Sequence, residues 1–364
     1  MPTCYNVSKY WLCNPRGDSD YSLQSAFRLC AVLLVVIFHL SQATGNWLVI
    51  GNAGTDASFV LSGFTIWSLA ARHRQGGREF LTRRASRIVP LYWAETLLFT
   101  AVTTVQAGVQ GTPGYSVGHV VQSLLLVPHL DARGTIFPVV NVAWSLTIEL
   151  LFYALVASSF LVPRGARFPA LLTVLVSLSA CRLFMSPATG MGMVYTSNHM
   201  AEIAGGVLVA QLRLSGRVLA AAASRTWIAC GLSMLIVEQA MNISPYDCRW
   251  AYAGVPAVII LAGVVGLEAA RGRTTRRFSM IALLGGATYP MYLFHGLFLR
   301  LVRSWVDAPV AVQAAALVAL TMLFGLAVQP VDTWLTGTLR RWCEPGGRRL
   351  SRPAFAGLAS ENRM

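Results

Sequence analysis

Apolar segments close in length to a membrane span constrain this sequence more than any other feature. They cover approximately residues 24–43, 48–70, 88–108, 142–163, 168–186, 199–213, 226–243, 251–269, 280–302 and 310–328. A helix of about 20 apolar residues crosses the hydrocarbon core of a bilayer. Only 12% of the residues are charged, against roughly 25% in a soluble domain. The pattern therefore predicts an all-α, polytopic transmembrane bundle of about ten helices.

Arginines alternate between the connections that join these segments. The arginine-rich connections carry Arg72, Arg74, Arg78, Arg83, Arg84 and Arg87, then Arg164 and Arg167, then Arg213, Arg217 and Arg225, then Arg271, Arg273, Arg276 and Arg277, and finally the tail from Arg340. The intervening connections hold little more than Arg133 and Arg249. Basic loops stay on the cytoplasmic side, so both termini are predicted to be cytoplasmic. Arg300 and Arg303, at the outer end of the ninth segment, are the exception.

The net charge of +14 does not indicate a nucleic-acid partner. The arginines lie in short stretches between apolar segments, whereas nucleic-acid binding needs a continuous basic face. Membrane lipid and an anionic cofactor remain compatible partners. The seven cysteines show no CxxC spacing, so no metal site is expected.

No internal repeat or linker suggests a second folded domain. We predict a cytoplasmic tail over residues 1–23, a transmembrane domain over 24–330 and a basic cytoplasmic tail over 331–364. The residues before Tyr21 do not resemble a cleavable signal peptide, so the first segment is expected to remain as an anchor. Ser116–Leu130 is short for a span and is predicted to be re-entrant or interfacial.

Four ionisable side chains interrupt the apolar segments at similar predicted depth: His39, Asp56, Glu149 and His295. Such groups are costly in a membrane and indicate function by default. Arg28 opens the same helix as His39, eleven residues earlier, a rise of roughly 16 Å. Arg28 is therefore expected near the cytoplasmic interface and His39 in the outer half of the membrane.

A histidine beside a carboxylate suits proton abstraction at neutral pH, because the carboxylate fixes the imidazole tautomer and stabilises its charged form. We predict His39 as the base, with Asp56 or Glu149 as its partner. The simpler alternative is that each polar group only hydrogen-bonds a neighbouring helix. That alternative is favoured for the other histidines, namely His119, His129 and His199.

Arg84 and Arg87 are three residues apart, so on a helix they share a face. Paired guanidinium groups suit phosphate oxygens better than lysine does. Composition alone favours topology anchoring as the role of these residues, and binding of a phosphate-bearing cofactor from the cytoplasm is the sharper alternative.

Several ordered motifs resemble the acyltransferase-3 family of bacterial membrane acyltransferases, most of all its exopolysaccharide-production, ExoZ-type branch. The motifs are Arg28-X10-His39, Gly54-Thr-Asp-Ala-Ser-Phe-Val-Leu-Ser-Gly-Phe64, Arg84-x-x-Arg-Ile-x-Pro-x-Tyr92, Leu124–His129 with Trp144–Tyr153, Asn198 with Glu202, and Tyr289–His295. Two features depart from the family. Ala26-Phe-Arg-Leu29 replaces the frequent Gly-Leu-Arg-Gly, and a late Glu-x-Pro element appears only as Gln329-Pro330.

The resemblance implies O-acylation, in which an acetyl group moves from acetyl-CoA to a carbohydrate hydroxyl without a metal. It assigns Arg28, Arg84 and Arg87 to the acyl-CoA donor. His39 would deprotonate the acceptor or briefly accept the acyl group, with Asp56 or Glu149 as its orienting acid. Further substrate contacts are expected from Ser62, Tyr92 and His295.

The acceptor implied is an exopolysaccharide or its lipid-linked repeat unit, and the location is the bacterial inner membrane. A lipochitooligosaccharide signal or lipopolysaccharide O-antigen is the alternative acceptor. Two other classes of function remain open: a polysaccharide or lipid transporter, and a non-catalytic assembly subunit or sensor. A transporter predicts inverted repeats or paired broken helices, and the sequence shows neither.

Overall fold

The computed structural model describes residues 22–72, 76–110, 114–241, 249–271 and 280–343. These residues form helices and connecting turns, with no strand among them. The α-helices are α1 (Ser22–Ala43), α2 (Ala53–Arg72), α3 (Gly77–Gln110), α4 (Val117–Leu124), α5 (Trp144–Ser159), α6 (Arg164–Phe184), α7 (Gly190–Tyr195), α8 (His199–Leu214), α9 (Ala221–Met241), α10 (Val255–Arg271), α11 (Met280–Trp305) and α12 (Val310–Cys343).

Each predicted apolar segment lies on a helix, and the short stretch after Ser116 contains α4. Among the described residues, six helices are long and apolar enough to cross a membrane. They span Leu23–Ala43, Gly77–Gly108, Asn141–Ser159, Arg164–Phe184, Trp250–Arg271 and Val310–Leu339. The predicted fold class, an all-helical bundle with membrane-spanning helices, is therefore confirmed.

Helix α12 continues to Cys343, well past the predicted boundary at residue 330. The predicted tails before residue 22 and after residue 343 lie outside the described residues. The same is true of four arginines used to predict the topology: Arg74, Arg273, Arg276 and Arg277.

Many large apolar side chains lie on the outside of the bundle. Leu183 and Phe184 at the end of α6 are 73% and 85% exposed, and Val105 on α3 and Leu323 on α12 are each 67% exposed. A soluble protein rarely exposes apolar surface on this scale, whereas a membrane-interacting one does. The outward-facing surface of the helices therefore supports contact with lipid.

Glycines bring α2 and α8 into backbone contact. A Cβ atom added to Gly206 would lie 1.9 Å from the Val60 carbonyl oxygen, and one added to Gly63 would lie 2.2 Å from that of Ile203. Small residues allow such close approach between membrane helices, where packing rather than the hydrophobic effect drives association. This contact fixes the register between the polar side chains of α2 and those of α8.

Helix α1 packs on α2 and α11 through further glycines. The Cβ position of Gly54 lies 2.3 Å from the Ala31 carbonyl oxygen, and that of Gly285 lies 2.8 Å from Cβ of Ser25. Tyr289 on α11 donates a hydrogen bond of 2.7 Å to the Ile88 carbonyl on α3. These contacts arrange α1, α2, α3 and α11, with α5 and α12, around an internal cavity.

The α2–α8 contact gives a direct test of the fold. We expect Gly206→Ala to force the two backbones apart and to destabilise the protein, by about 1–3 kcal/mol for overpacking. Thermal unfolding of the purified protein in detergent measures this. Gly108→Ala on α3 is the control, because nothing lies within 4 Å of its Cβ position. Equal unfolding temperatures for the two variants would contradict the packing.

Candidate active site

A cavity of about 250 Å³ lies inside the bundle, bounded by α1, α2, α3, α5, α11 and α12. Its charged lining consists of Arg28, Arg83, Arg84, Arg87, Glu149 and Asp332. Its other polar groups include the three tyrosines Tyr153, Tyr289 and Tyr292. The concentration of guanidinium groups in one cavity makes it suited to an anionic ligand.

The predicted donor-binding arginines come together in this cavity. Arg28 projects from α1, while Arg84 and Arg87 project from α3 one turn apart. Arg83 also lines the cavity and forms an ion pair with Glu79 on its own helix. The sequence analysis did not select Arg83, because it stands outside the matched motif.

Asp332 is a cavity residue that the sequence analysis missed. It lies on α12 close enough to Arg87 for their charges to interact. The sequence showed no glutamate near Gln329-Pro330, but a carboxylate does come from this helix three residues after Gln329. The sequence did contain a signal for Asp332, because an acidic side chain within a transmembrane helix is unusual.

Glu149 lies among the arginines of the cavity. Its carboxylate accepts a 3.0 Å hydrogen bond from the Tyr153 hydroxyl, and the Ser62 side chain also hydrogen-bonds to it. Arg28 and Arg84 are close enough to interact with its charge. Glu149 therefore offsets part of the positive charge, which is the condition for burying several arginines together.

His39 lies beyond the end of the cavity that Tyr292 lines. Its Nδ1 lies 3.1 Å from Oε1 of Gln42, so this nitrogen donates and Nε2 keeps a free lone pair. The ring stacks on that of His295, with centroids 5.1 Å apart and planes inclined by 29°. His295 Nδ1 in turn donates to the Tyr292 carbonyl at 2.5 Å. The predicted His39 and His295 are thus direct neighbours.

Neither Asp56 nor Glu149 is among the hydrogen-bond partners of His39 in the described part of the chain. The helix register explains the separation from Asp56. Gly51, before α2, packs against Phe38, next to His39, whereas Gly54 already packs against Ala31. Asp56 lies two residues beyond Gly54 on α2, and so it lies further from the His39 end of α1.

Asp56 instead belongs to a second polar group, here called the outer cluster and formed by Asp56, His199, Glu202 and Arg249. Asp56 is fully buried and receives Arg249 Nε at 2.9 Å, with a second bond from Nη2. Arg249 Nη2 also donates to the Asn52 carbonyl at 2.8 Å. His199 Nδ1 lies 2.8 Å from Oε2 of Glu202.

The outer cluster contains the set of side chains that best resembles a metal site. Potential ligand atoms of Asp56, His199 and Glu202 lie within 4.8 Å of one another. The Arg249 guanidinium, however, already contacts both carboxylate oxygens of Asp56. A cation bound there would face this fixed positive charge, so the ion pair satisfies the site better than a metal would.

The sequence analysis left His199 and Arg249 out of the candidate site. His199 opens α8, and its ring lies against Phe59 at 4.6 Å and Trp144 at 5.1 Å between centroids. Arg249 falls in a connection between apolar segments, where a single arginine has many explanations. Their roles depend on contacts between distant parts of the chain, which a sequence pattern does not show.

Tyr92 makes a structural contact on α3. Its buried hydroxyl donates to the Ser123 carbonyl at 2.6 Å, and Trp93 Nε1 donates to the Leu124 carbonyl at 2.8 Å. These bonds fasten α4 and the loop that follows it to α3. In the same region, His119 and His129 are joined by a 2.9 Å hydrogen bond. Tyr92 is absent from the cavity lining, so its predicted substrate contact remains a prediction.

The buried ion pair of the outer cluster gives a stability prediction. We expect Arg249→Gln to destabilise the protein by about 3–5 kcal/mol, because it leaves the Asp56 charge buried and uncompensated. Adding Asp56→Asn to this variant should restore part of the loss. Thermal unfolding of the single and double variants measures both effects.

The exposed pair Arg133–Asp131 is the control, since the Arg133 side chain is 80% exposed. Arg133→Gln should cost at most about 1 kcal/mol. A loss for Arg249→Gln as small as this one would contradict the ion pair.

Three known proteins are similar to most of this chain. Exopolysaccharide production protein ExoZ of Rhizobium meliloti (strain 1021) is 33% identical over 261 residues, which cover 71% of this chain and 80% of ExoZ. The putative peptidoglycan O-acetyltransferase YrhL of Bacillus subtilis (strain 168) is 27% identical over 303 residues, 74% of this chain and 47% of YrhL. Acyltransferase MdmB of Streptomyces mycarofaciens is 24% identical over 330 residues, 79% of this chain and 82% of MdmB.

No solved structure matches the chain. The profile of the acyltransferase-3 family, described as an acyltransferase domain, matches residues 25–329. That range contains α1 to α11, most of the apolar part of α12 and the cavity arginines. The chain is therefore a member of the acyltransferase-3 family and an O-acyltransferase.

Proposed function

We propose that this protein transfers an acetyl group from acetyl-CoA to a hydroxyl of a cell-surface carbohydrate, an exopolysaccharide or its lipid-linked repeat unit. The observation that carries the proposal is a cavity with four arginines whose lining residue Tyr292 contacts His295 of the His39–His295 stack. The arginines suit phosphate binding, and the histidine pair suits proton transfer.

The arginines suit the donor because CoA carries several phosphate groups at one end and its thioester at the other. Arg83, Arg84 and Arg87 lie within two turns of α3, where their guanidinium groups can hold phosphate oxygens in pairs. The pantetheine chain would extend past Glu149 and Tyr292 toward His39. The thioester would then meet the acceptor in the outer half of the membrane.

His39 supplies the chemistry in either of two routes. In the direct route its Nε2 takes the acceptor hydroxyl proton as the oxygen attacks the thioester carbonyl. The carbon–sulfur bond breaks, the new ester bond forms, and the proton passes from His39 to the departing sulfur. In the covalent route Nε2 first receives the acyl group and releases CoA, and the hydroxyl then attacks the acyl-imidazole.

The stack on His295 favours neutral His39, because two adjacent imidazoles cannot both be charged at low cost. His295 donates from Nδ1 to a carbonyl, which fixes its tautomer and holds the ring against His39. We therefore assign His295 as a positioning residue for His39 and Glu149 as a counter-charge for the arginines. Asp56 acts through the Arg249 pair, which holds α2 in place.

The topology that this function needs is ten spans with both termini in the cytoplasm of the bacterial plasma membrane. Helices α2, α8, α9 and α11 would add to the six longer and more apolar ones. With the arginine-rich connections inside, the cavity arginines face the cytoplasmic supply of acetyl-CoA. The similarity to the exopolysaccharide production protein ExoZ favours an exopolysaccharide acceptor, and a lipochitooligosaccharide or O-antigen remains the alternative.

His39 gives the first functional prediction. We expect His39→Gln to lower the rate of acetyl transfer by about 10²–10⁴-fold, because the base or acyl acceptor is removed. The measurement follows label from radioactive acetyl-CoA into glycan in isolated membranes. His119→Gln, a histidine outside the cavity, should keep a rate close to that of the unaltered protein. A His39→Gln variant that folds and transfers normally would refute the assignment.

The cavity arginines give the second functional prediction. We expect Arg84→Gln and Arg87→Gln each to raise the KM for acetyl-CoA about tenfold or more, because each removes charge-assisted hydrogen bonds to phosphate. The kcat should change less, since these contacts are made equally in the ground and transition states. Arg78→Gln is the matched control, because Arg78 is exposed on the same helix. A KM unchanged in both cavity variants would argue against donor binding here.

A further inference from the structure

Arg300 and Arg303 depart from the charge rule that most arginines of the sequence follow. They lie in the last two turns of α11, at the end that the topology places outside. Basic residues are disfavoured on that side of a bacterial plasma membrane. Neither residue belongs to the cavity, and the transfer mechanism does not use them.

Arg300 is held in a fixed position at the contact between α11 and α3. Its Nη1 donates a 2.6 Å hydrogen bond to Oε1 of Gln106, and its guanidinium carbon lies 5.2 Å from the ring centroid of Phe99. A guanidinium has five N–H donors, and within the described residues the only hydrogen bond recorded for Arg300 uses Nη1. Most of its donors are thus available to an anion.

The depth of this arginine corresponds to the phosphate region of a bilayer. Trp305, five residues further along α11, is 84% exposed, and exposed tryptophans at helix ends mark the membrane–water interface. Arg303 is exposed between them. An anion bound by these two arginines would therefore be carried on a membrane lipid.

A second observation concerns Glu95 on α3, at the same contact with α11. Ile88, Glu95, Phe99 and Gln106 share one face of α3, and three of them contact Tyr289 or Arg300 of α11. Glu95 is fully buried, and neither of its carboxyl oxygens has a hydrogen-bond partner in the described chain. A buried carboxyl without a partner is costly unless a ligand supplies the missing hydrogen bonds.

Glu95 precedes Phe99, which Arg300 contacts, by four residues of α3, a rise of about 6 Å. Arg300 follows His295 by five residues, a rise of about 7.5 Å. Between them, nothing lies within 4 Å of the Cβ position of Gly296. A sugar joined directly to a phosphate at Arg300 would therefore extend toward Glu95 and the His39–His295 stack.

We propose that the outer end of the α3–α11 contact binds the phosphate of a lipid-linked carbohydrate, with Arg300 and Arg303 on the phosphate and Glu95 on a sugar hydroxyl. The acceptor is then the lipid-linked repeat unit rather than the finished polymer. This inference rests on the proposed function for the identity of the sugar. Phosphate binding itself can be tested without any turnover.

The binding experiment uses purified protein in detergent and measures thermal stabilisation by a polyprenyl diphosphate. Polyprenol without phosphate and phosphatidylglycerol are the comparison lipids. We expect the diphosphate to stabilise the protein most, and Arg300→Gln to raise its apparent Kd roughly tenfold or more. Arg300→Lys keeps the charge without the planar donor fork and should bind with intermediate affinity.

Arg182→Gln is the matched control, because Arg182 lies in the last turn of α6 and should leave binding unchanged. Equal stabilisation by phosphatidylglycerol would mean that the arginines hold ordinary lipid, and would overturn the proposal. An Arg300→Gln variant that folds and binds the diphosphate normally would overturn it as well.

The transfer experiment uses lipid-linked glycans extracted from cells that carry this protein, before and after mild acid removes the lipid phosphate. We expect Arg300→Gln to raise the acceptor KM only for the phosphate-bearing form. Glu95→Leu should raise the acceptor KM while leaving diphosphate binding intact. Thr321→Val removes a buried hydroxyl that also lacks a hydrogen-bond partner among the described residues, and it should change neither. Equal losses on both acceptor forms for Arg300→Gln would contradict phosphate recognition.

If the unaltered protein binds the diphosphate but transfers no acetyl group, the proposed function fails and the phosphate site stands. If it transfers acetyl to the polymer and binds no diphosphate, the phosphate site fails and the proposed function stands.

Discussion

The cost of an uncompensated charge in hydrocarbon governs the arrangement of this protein. A buried ionisable group must be paired, hydrogen-bonded or exposed to a cavity. Arg28, Arg84 and Glu149 meet this condition together inside the cavity, and Asp56 meets it through Arg249. The two polar groups are separated by apolar helix faces, so each tolerates its own charges. The cavity that remains is the space in which an anionic donor can be held.

This separation gives the two carboxylates different tasks from those their positions in the sequence indicate. Glu149 balances arginines, and Asp56 holds an ion pair between α2 and the connection before α10. His39 is left with an amide and a second imidazole as its neighbours. A base without a carboxylate stays neutral more readily, which suits both a hydroxyl proton acceptor and an acyl acceptor. The charged groups of the site therefore lie in the part of the cavity where the acyl-CoA donor is proposed to bind.

The apolar pattern predicted the helices, because hydrocarbon imposes the same length on every span. The resemblance to the acyltransferase-3 family predicted that Arg28, Arg84 and Arg87 would share a site, and all three line the cavity. The separation of His39 from Asp56 was not predictable from depth alone. Gly51 and Gly54 set the register of α2 against α1, and that register decides which polar groups meet. Arg249 was missed because its partner Asp56 lies far away in sequence, and Asp332 was missed because the predicted transmembrane domain ended at residue 330.

The most direct test of the central claim is a cryo-electron microscopy structure with a thioether analogue of acetyl-CoA, which cannot transfer its acetyl group. We expect phosphate density at hydrogen-bonding distance from Arg84 and Arg87. We also expect the acetyl carbonyl within about 3–3.5 Å of His39 Nε2, the distance at which reacting atoms are poised. Phosphates bound elsewhere, or an acetyl group in the outer cluster beside His199, would contradict the account.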